Sequence, residues 1–196
     1  MAASFKFNVR EIQRLADDMK DPKLIRQIEA IPREKAVAAL VAQGIAQNFT
    51  DGGPNWPALK FRQGQILKKT GLLFKSVTTP GAQGNVNRVT GSVLTWGTEL
   101  KYAKIHNEGG IITAKNAKML WIPISEKAAR IGPLKNKADR EKSGLKYGKD
   151  FIFKKSVKIP KREFLVLRQP AMQEISEHVL GRIIEVLQKY ITKRSK

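Results

Sequence analysis

Two one-sided apolar stripes at helical spacing bracket this chain and limit its fold more than any other feature. Val37, Leu40, Val41, Ile45 and Phe49 form the first, and Ile175, Val179, Ile183, Leu187 and Tyr190 the second. A helix with one apolar face must bury it against another element. Between the stripes the pattern changes. Val86, Val89, Val93, Leu94 and Trp96 flank Gly91 and read as two β segments, while residues 119–124 (MLWIPI) and 151–157 read as further strands. Helix-patterned stretches towards both ends, with strand-patterned stretches between them, are the elements that any fold of this chain has to pack together.

Smaller signals divide the chain further. Asn8 with Glu11 reads as a capping box, with Ile12, Leu15 and Met19 behind it. Asp21-Pro22 restarts a short helix through Leu24, Ile25 and Ile28, so residues 1–32 form an N-terminal helical segment of one domain spanning 1–196. Ile31-Pro32 opens the longer helix, where Gly44 marks close packing. The turn-rich DGGPNWPA loop at 51–58 is pinned to the core by Trp56. Residues 67–77 read as a helical turn leading into a strand, Gly71 taking the left-handed position after the helix. Tyr102 to His106 reads as strand or turn, FLVL at 164–167 as a short buried segment, and Pro170 as the start of the last helix. The KRSK tail is predicted to fray.

Charge is the strongest bulk property. Lys and Arg number 37 against 17 Asp and Glu, a net +20, and residues 101–196 hold 23 basic against 9 acidic. The excess peaks in a Lys-rich insertion at 125–150, read as a mobile arm or long hairpin whose two sides pair. Its candidate partner-binding residues, with the strand that follows, are Lys127, Arg130, Lys135, Lys137, Arg140, Lys142, Lys146, Lys149, Lys154 and Lys155. Such a field attracts phosphate or acidic protein surfaces, though it is also what a solvated loop looks like. Nucleic-acid modules interleave stacking aromatics, and here only Tyr147, Phe151 and Phe153 occur, the last two spaced like core-facing strand residues.

The chemistry of catalysis is sparse. Cysteine is absent and only His106 and His178 could serve as imidazoles, so no thiolate framework or His-rich metal motif exists. Glycine-rich stretches such as GAQGN lack the spacing of a phosphate loop. His106 with Glu108 is the one acid–base pair to weigh, since on a strand residues two apart share a face. Neither a nucleophile nor an oxyanion donor accompanies it, so no catalytic, cofactor or metal site is expected. No apolar run approaches the roughly 18 residues of a membrane span, and the N-terminus has no apolar core of a secretory signal.

Three ordered stretches carry a family resemblance. The first follows Phe49 as Gly-Gly-Pro-x-Trp56-x-x-Leu59. The second is Leu67-x-x-Thr70-Gly71-x-Leu73-x-x-Ser76. The third runs Gly97, Tyr102-Ala103, His106 and Gly109, completed by Pro160-x-Arg162-x-Phe164. Over about residues 33–190 this order resembles the phage virion morphogenesis family of Mu-like tail-completion proteins. It is similar more loosely to neck and head–tail joining proteins. The resemblance implies an α+β fold, a mainly antiparallel sheet packed by N-terminal and C-terminal helices with a long basic loop or hairpin insertion. It also implies a non-enzymatic virion protein without cofactor, at the neck or tail end, assembled in the host cytoplasm. Its implied partners are copies of itself in a hexameric ring, tail-tube and connector proteins, and no membrane; nonspecific DNA binding is the alternative. Tyr102 is expected to bury its ring with the hydroxyl at the rim, and Arg162 to brace a loop or carboxylate.

Overall fold

The computed structural model describes residues 3–8, 21–50, 53, 56–59, 65–132 and 137–194. Asp21 caps the first helix, α1 (Pro22–Ala30), its Oδ1 accepting from the amides of Lys23 at 2.8 Å and Leu24 at 3.4 Å. Pro22 occupies the first turn, where its missing N–H is not needed. A 3-10 turn (Ile31–Arg33) leads into α2 (Lys35–Thr50), and the C-terminal α7 (Gln169–Arg194) lies against both. Leu24, Val37, Val41, Ile45 and Ile175 meet there with at most 1% exposure. Each such side chain contributes about 1.5–3 kcal/mol by leaving water. Arg182 of α7 forks onto Glu34 at 2.9–3.1 Å, and the Tyr190 hydroxyl donates to Asp21, fastening the last helix to the residue before α2 and to the cap of α1.

The opposite side of this core is a three-stranded antiparallel sheet in the order β1-β3-β2, comprising β1 (Ala3–Asn8), β2 (Asn85–Thr90) and β3 (Val93–Thr98). β2 and β3 form the hairpin predicted around Gly91, which turns with φ +57 and pairs Thr90 with Val93. Leu94 and Trp96 are wholly buried on it, while Val86, Val89 and Val93 are half-buried. The Trp96 indole donates to the Val77 carbonyl at 2.8 Å in α3 (Leu72–Thr78). Beside it Thr98 Oγ1 donates to Ser76 Oγ at 2.9 Å, and Ser76 donates to the Leu73 carbonyl at 2.8 Å. The family-like Ser76 is therefore a buried polar bolt between helix and sheet.

The remaining strands form two separate ribbons rather than extending that sheet. β4 (Gly110–Thr113) pairs with β7 (Ser156–Ile159), and β5 (Leu120–Pro123) with β6 (Phe151–Lys154), all antiparallel. The α+β class stands, with its strands split into three pieces. Residues 151–157, read as one strand, divide at Lys155 because β6 and β7 serve different ribbons. Residues 119–124 supply β5, but half-buried, with Met119 exposed.

Several local readings are corrected. Residues 3–8 of the segment 1–32, read as helical, form strand β1, with Asn8 paired to Val93; Glu11, Ile12, Leu15 and Met19 of the capping-box helix lie outside the described residues, as do Ser195 and Lys196. Gly71 is left-handed at φ +74, but it starts α3 rather than ending a helix, and no strand follows within 72–78. Leu73 and Val77, one turn apart, set a helical rather than alternating apolar face there. Tyr102 to His106 enters a helix, α4 (Ala103–Glu108), anchored by fully buried Ala103. The insertion at 125–150 is not a bare loop. It carries α5 (Glu126–Ile131) and α6 (Lys137–Ser143) over a small core of Ala128, Leu145 and Phe151, with Trp121 and Phe153 packed on it. Its two sides pair through β5 and β6, as expected of a hairpin.

Candidate functional site

Part of the motif set, Trp56, His106, Gly109, Pro160, Arg162 and Phe164, meets around one strap although it spans more than 100 positions. Residues 160–166 cross between α2 and α4 without regular structure, and two asparagines hold them. Asn107 Oδ1 accepts from the amides of Phe164 at 3.2 Å and Leu165 at 3.0 Å. From the other side Asn48 Nδ2 donates to the carbonyls of Phe164 at 3.0 Å and Val166 at 2.7 Å. The Arg162 amide donates to the His106 carbonyl at 2.9 Å, and its buried guanidinium donates to the Pro57 carbonyl at 3.1 Å. The DGGPNWPA loop is thus braced by Arg162. Trp56 packs edge-on to Phe49 with centroids 5.6 Å apart, and Phe49 meets Phe164 at 5.6 Å.

Gly109 lets two of these pieces touch. It ends α4 with φ +73, and a Cβ there would stand 2.7 Å from the Lys161 nitrogen and 3.1 Å from the Ile159 oxygen, beside Pro160. By contrast, nothing lies within 4 Å of the Cβ position at Gly71, so its value is conformational; Thr70 Oγ1 accepts from the Leu72 amide at 3.4 Å beside it.

His106 lies half-buried on α4 with the Tyr102 ring edge-on at 6.2 Å. Tyr102 itself is 41% exposed, so the expectation of a buried ring fails: as the residue before the helix it turns outward while Ala103 takes the inner place. Burial first, and the Arg162 charge second, push the His106 pKa below its ordinary 6.5, leaving a neutral imidazole. The pairing with Glu108 does not form. On a helix residues two apart diverge by about 200°, and Glu108 instead approaches Lys104 at 3.8 Å. Among the described residues no group of three or more His, Asp or Glu is placed to hold a metal ion.

Against this geometry, one relative stands out. The chain is similar to a Mu-like prophage protein. It is 38% identical over 80 residues to Mu-like prophage FluMu G protein 2 of Haemophilus influenzae, covering 40% of this chain and 52% of the relative. The chain thus spans about half the length of the curated relative it matches. No family model and no solved structure matches it.

The basic residues sit apart from the strap, on the arm built by the insertion. Ser125 caps α5, its Oγ accepting from the Ala128 amide at 3.1 Å and donating to Asp150 Oδ1 at 2.7 Å. Asp150 Oδ2 accepts from the Lys146 amide at 2.8 Å, and these bonds hold its carboxyl below the usual range, aided by Lys127 and Lys149. Arg130 pairs with Glu126 at 2.6 Å. Lys142, Lys146, Lys149, Lys154 and Lys155 are exposed. Lys135 lies outside the described residues; Lys137 and Arg140 lie on α6. Between arm and strap runs a groove of about 610 Å³ walled by Pro57, Leu59, Ile122, Ile152, Val157 and Arg162. Asn48 and Asn107, the residues that hold the strap, are not singled out by sequence, because their role depends on backbone groups 116 and 57 positions away.

Proposed function

We propose that this chain is a structural virion protein that completes a phage tail or joins it to the head. It works as a ring subunit, binding its own copies and acidic surfaces of tail-tube or connector proteins. The similarity to a Mu-like prophage protein over 80 residues carries this reading. The motif cluster supports it, since the side chains of Asn48, Asn107 and Arg162 hold backbone segments to one another and none of them is placed for chemistry. The exposed lysines of the arm give the subunit a surface for acidic partners. In this role the protein assembles in the host cytoplasm and ends at the neck or tail end of the particle.

The test is deletion of the gene from the phage that encodes it, followed by electron microscopy of induced lysates and complementation from a plasmid. Unjoined heads and tails, or tails of abnormal length, rescued by the wild-type gene, are the expected result. Normal, infectious particles from the deletion would end the proposal. The net charge of +20 favours one rival, nonspecific DNA binding. Tight DNA binding that resists salt would favour that rival, whereas an affinity that falls steeply with salt would mean only generic attraction to a basic chain.

A further inference from the structure

The outward face of α7 and the tip of the arm are complementary in charge and in apolar character, and both are exposed among the described residues. Residues 169–181 form the longest run without Lys or Arg in 101–196, and they carry Glu174 and Glu177 on the exposed face. Leu180 and Ile184, one turn apart beside Glu177, are 52% and 53% exposed. Gly181 lies in this patch, and nothing stands within 4 Å of where its Cβ would be, so a second backbone can come close. The arm presents the opposite set. Tyr147 is 65% exposed, its ring stacked at 6.0 Å on Phe153, with Lys146 and Lys149 exposed beside it. The aromatic ring is held by its own small core, so little conformational freedom is lost when it is covered.

We propose that the arm of one copy docks on the α7 face of the next, Tyr147 against Leu180 and Ile184, and Lys146 and Lys149 against Glu174 and Glu177. Because the two patches are different surfaces of one chain, the contact is head-to-tail and cannot form a two-fold dimer; repetition gives a ring where the rotation between neighbours closes and an open filament where it does not. The occupant of the α7 face is a second copy because the chain otherwise carries a large positive excess, and its most basic module is the part that fits this acidic strip. The contact deepens the ring element of the proposed function and rests on it.

Charge reversal tests the contact on residues whose exposure leaves folding intact, as circular dichroism would check. Light scattering at about 0.15 M salt compares wild type, K146E/K149E, E174K/E177K and the quadruple variant. Each double variant should weaken association roughly tenfold or more, and the quadruple should recover most of it. Because the chain has no cysteine, a mixture of Tyr147→Cys and Leu180→Cys proteins should form a disulfide-linked dimer that neither forms alone. Equal masses for all four proteins, or no recovery in the quadruple, would overturn the contact. So would a wild type that stays monomeric at every concentration. Gene complementation reads the virion role separately: rescue by K146E/K149E with full infectivity removes the contact but leaves that role standing.

Discussion

The strap at 160–166 makes opposite demands on its two asparagines, and the same substitution at each should separate them. Asn48 is wholly buried and acts as a donor, its amide nitrogen meeting the Phe164 and Val166 carbonyls. Asn107 acts as an acceptor, its oxygen meeting the Phe164 and Leu165 amides. A carboxylate accepts but does not donate when ionised. Asn48→Asp therefore loses two hydrogen bonds, about 0.5–1.5 kcal/mol each, and turns an oxygen toward two buried carbonyls. With the added cost of burying the acid, a loss of at least about 3 kcal/mol follows. For a chain of this size that lowers Tm by roughly 6–12 °C. Asn107→Asp keeps both hydrogen bonds and should change stability by less than about 1 kcal/mol at neutral pH. Thermal and urea denaturation followed by circular dichroism measures both. Equal losses, or a larger loss at Asn107, would refute the claim that amide polarity holds the strap.

Gly44→Ala should destabilise by about 1–3 kcal/mol, because its Cβ would stand 2.7 Å from Ala171 Cβ and 2.9 Å from Leu167 Cδ2. Gly181→Ala should instead stabilise the monomer by up to about 1 kcal/mol, as its site is open and helical; a loss at Gly181 in urea titrations would contradict this. Since the folded His106 pKa lies below 6.5, the unfolded chain binds the proton first as pH falls. Its neutral state is fully favoured above pH 6.5, and stability drops as pH falls through the window down to the folded pKa. Urea midpoints between pH 5 and 7 should slope less in His106→Gln than in wild type. The carboxyl of Asp150, held below its ordinary 3.8, stabilises the arm above that pH and loses this as pH falls through its folded value. Asp150→Asn should accordingly speed hydrogen exchange at the Lys146 amide at neutral pH while leaving the amides of α2 unchanged.

Sequence by itself determined the elements whose signal is local and repetitive. The α2 and α7 stripes, the Asp21-Pro22 helix start and the turn at Gly91 are written in spacing and side-chain type, so they are legible without neighbours. Gly44 was also legible as a close-packing position, because glycine inside a strong helical stripe has few other uses. Short segments were decided elsewhere. Six residues around His106 carry too little periodicity to choose helix over strand, and the burial of Ala103 settled it. Gly71 announced a left-handed turn but not which side the helix lay on; the contacts of Leu73 and Val77 with the core fixed that. The basic insertion looked loop-like because its apolar residues are few, yet Ala128, Leu145 and Phe151 meet only once β5 and β6 are paired. The strap depended most on tertiary structure. Asparagine favours no one partner along the chain, so Asn48 and Asn107 acquire their roles only when folding brings distant carbonyls and amides within 3.2 Å.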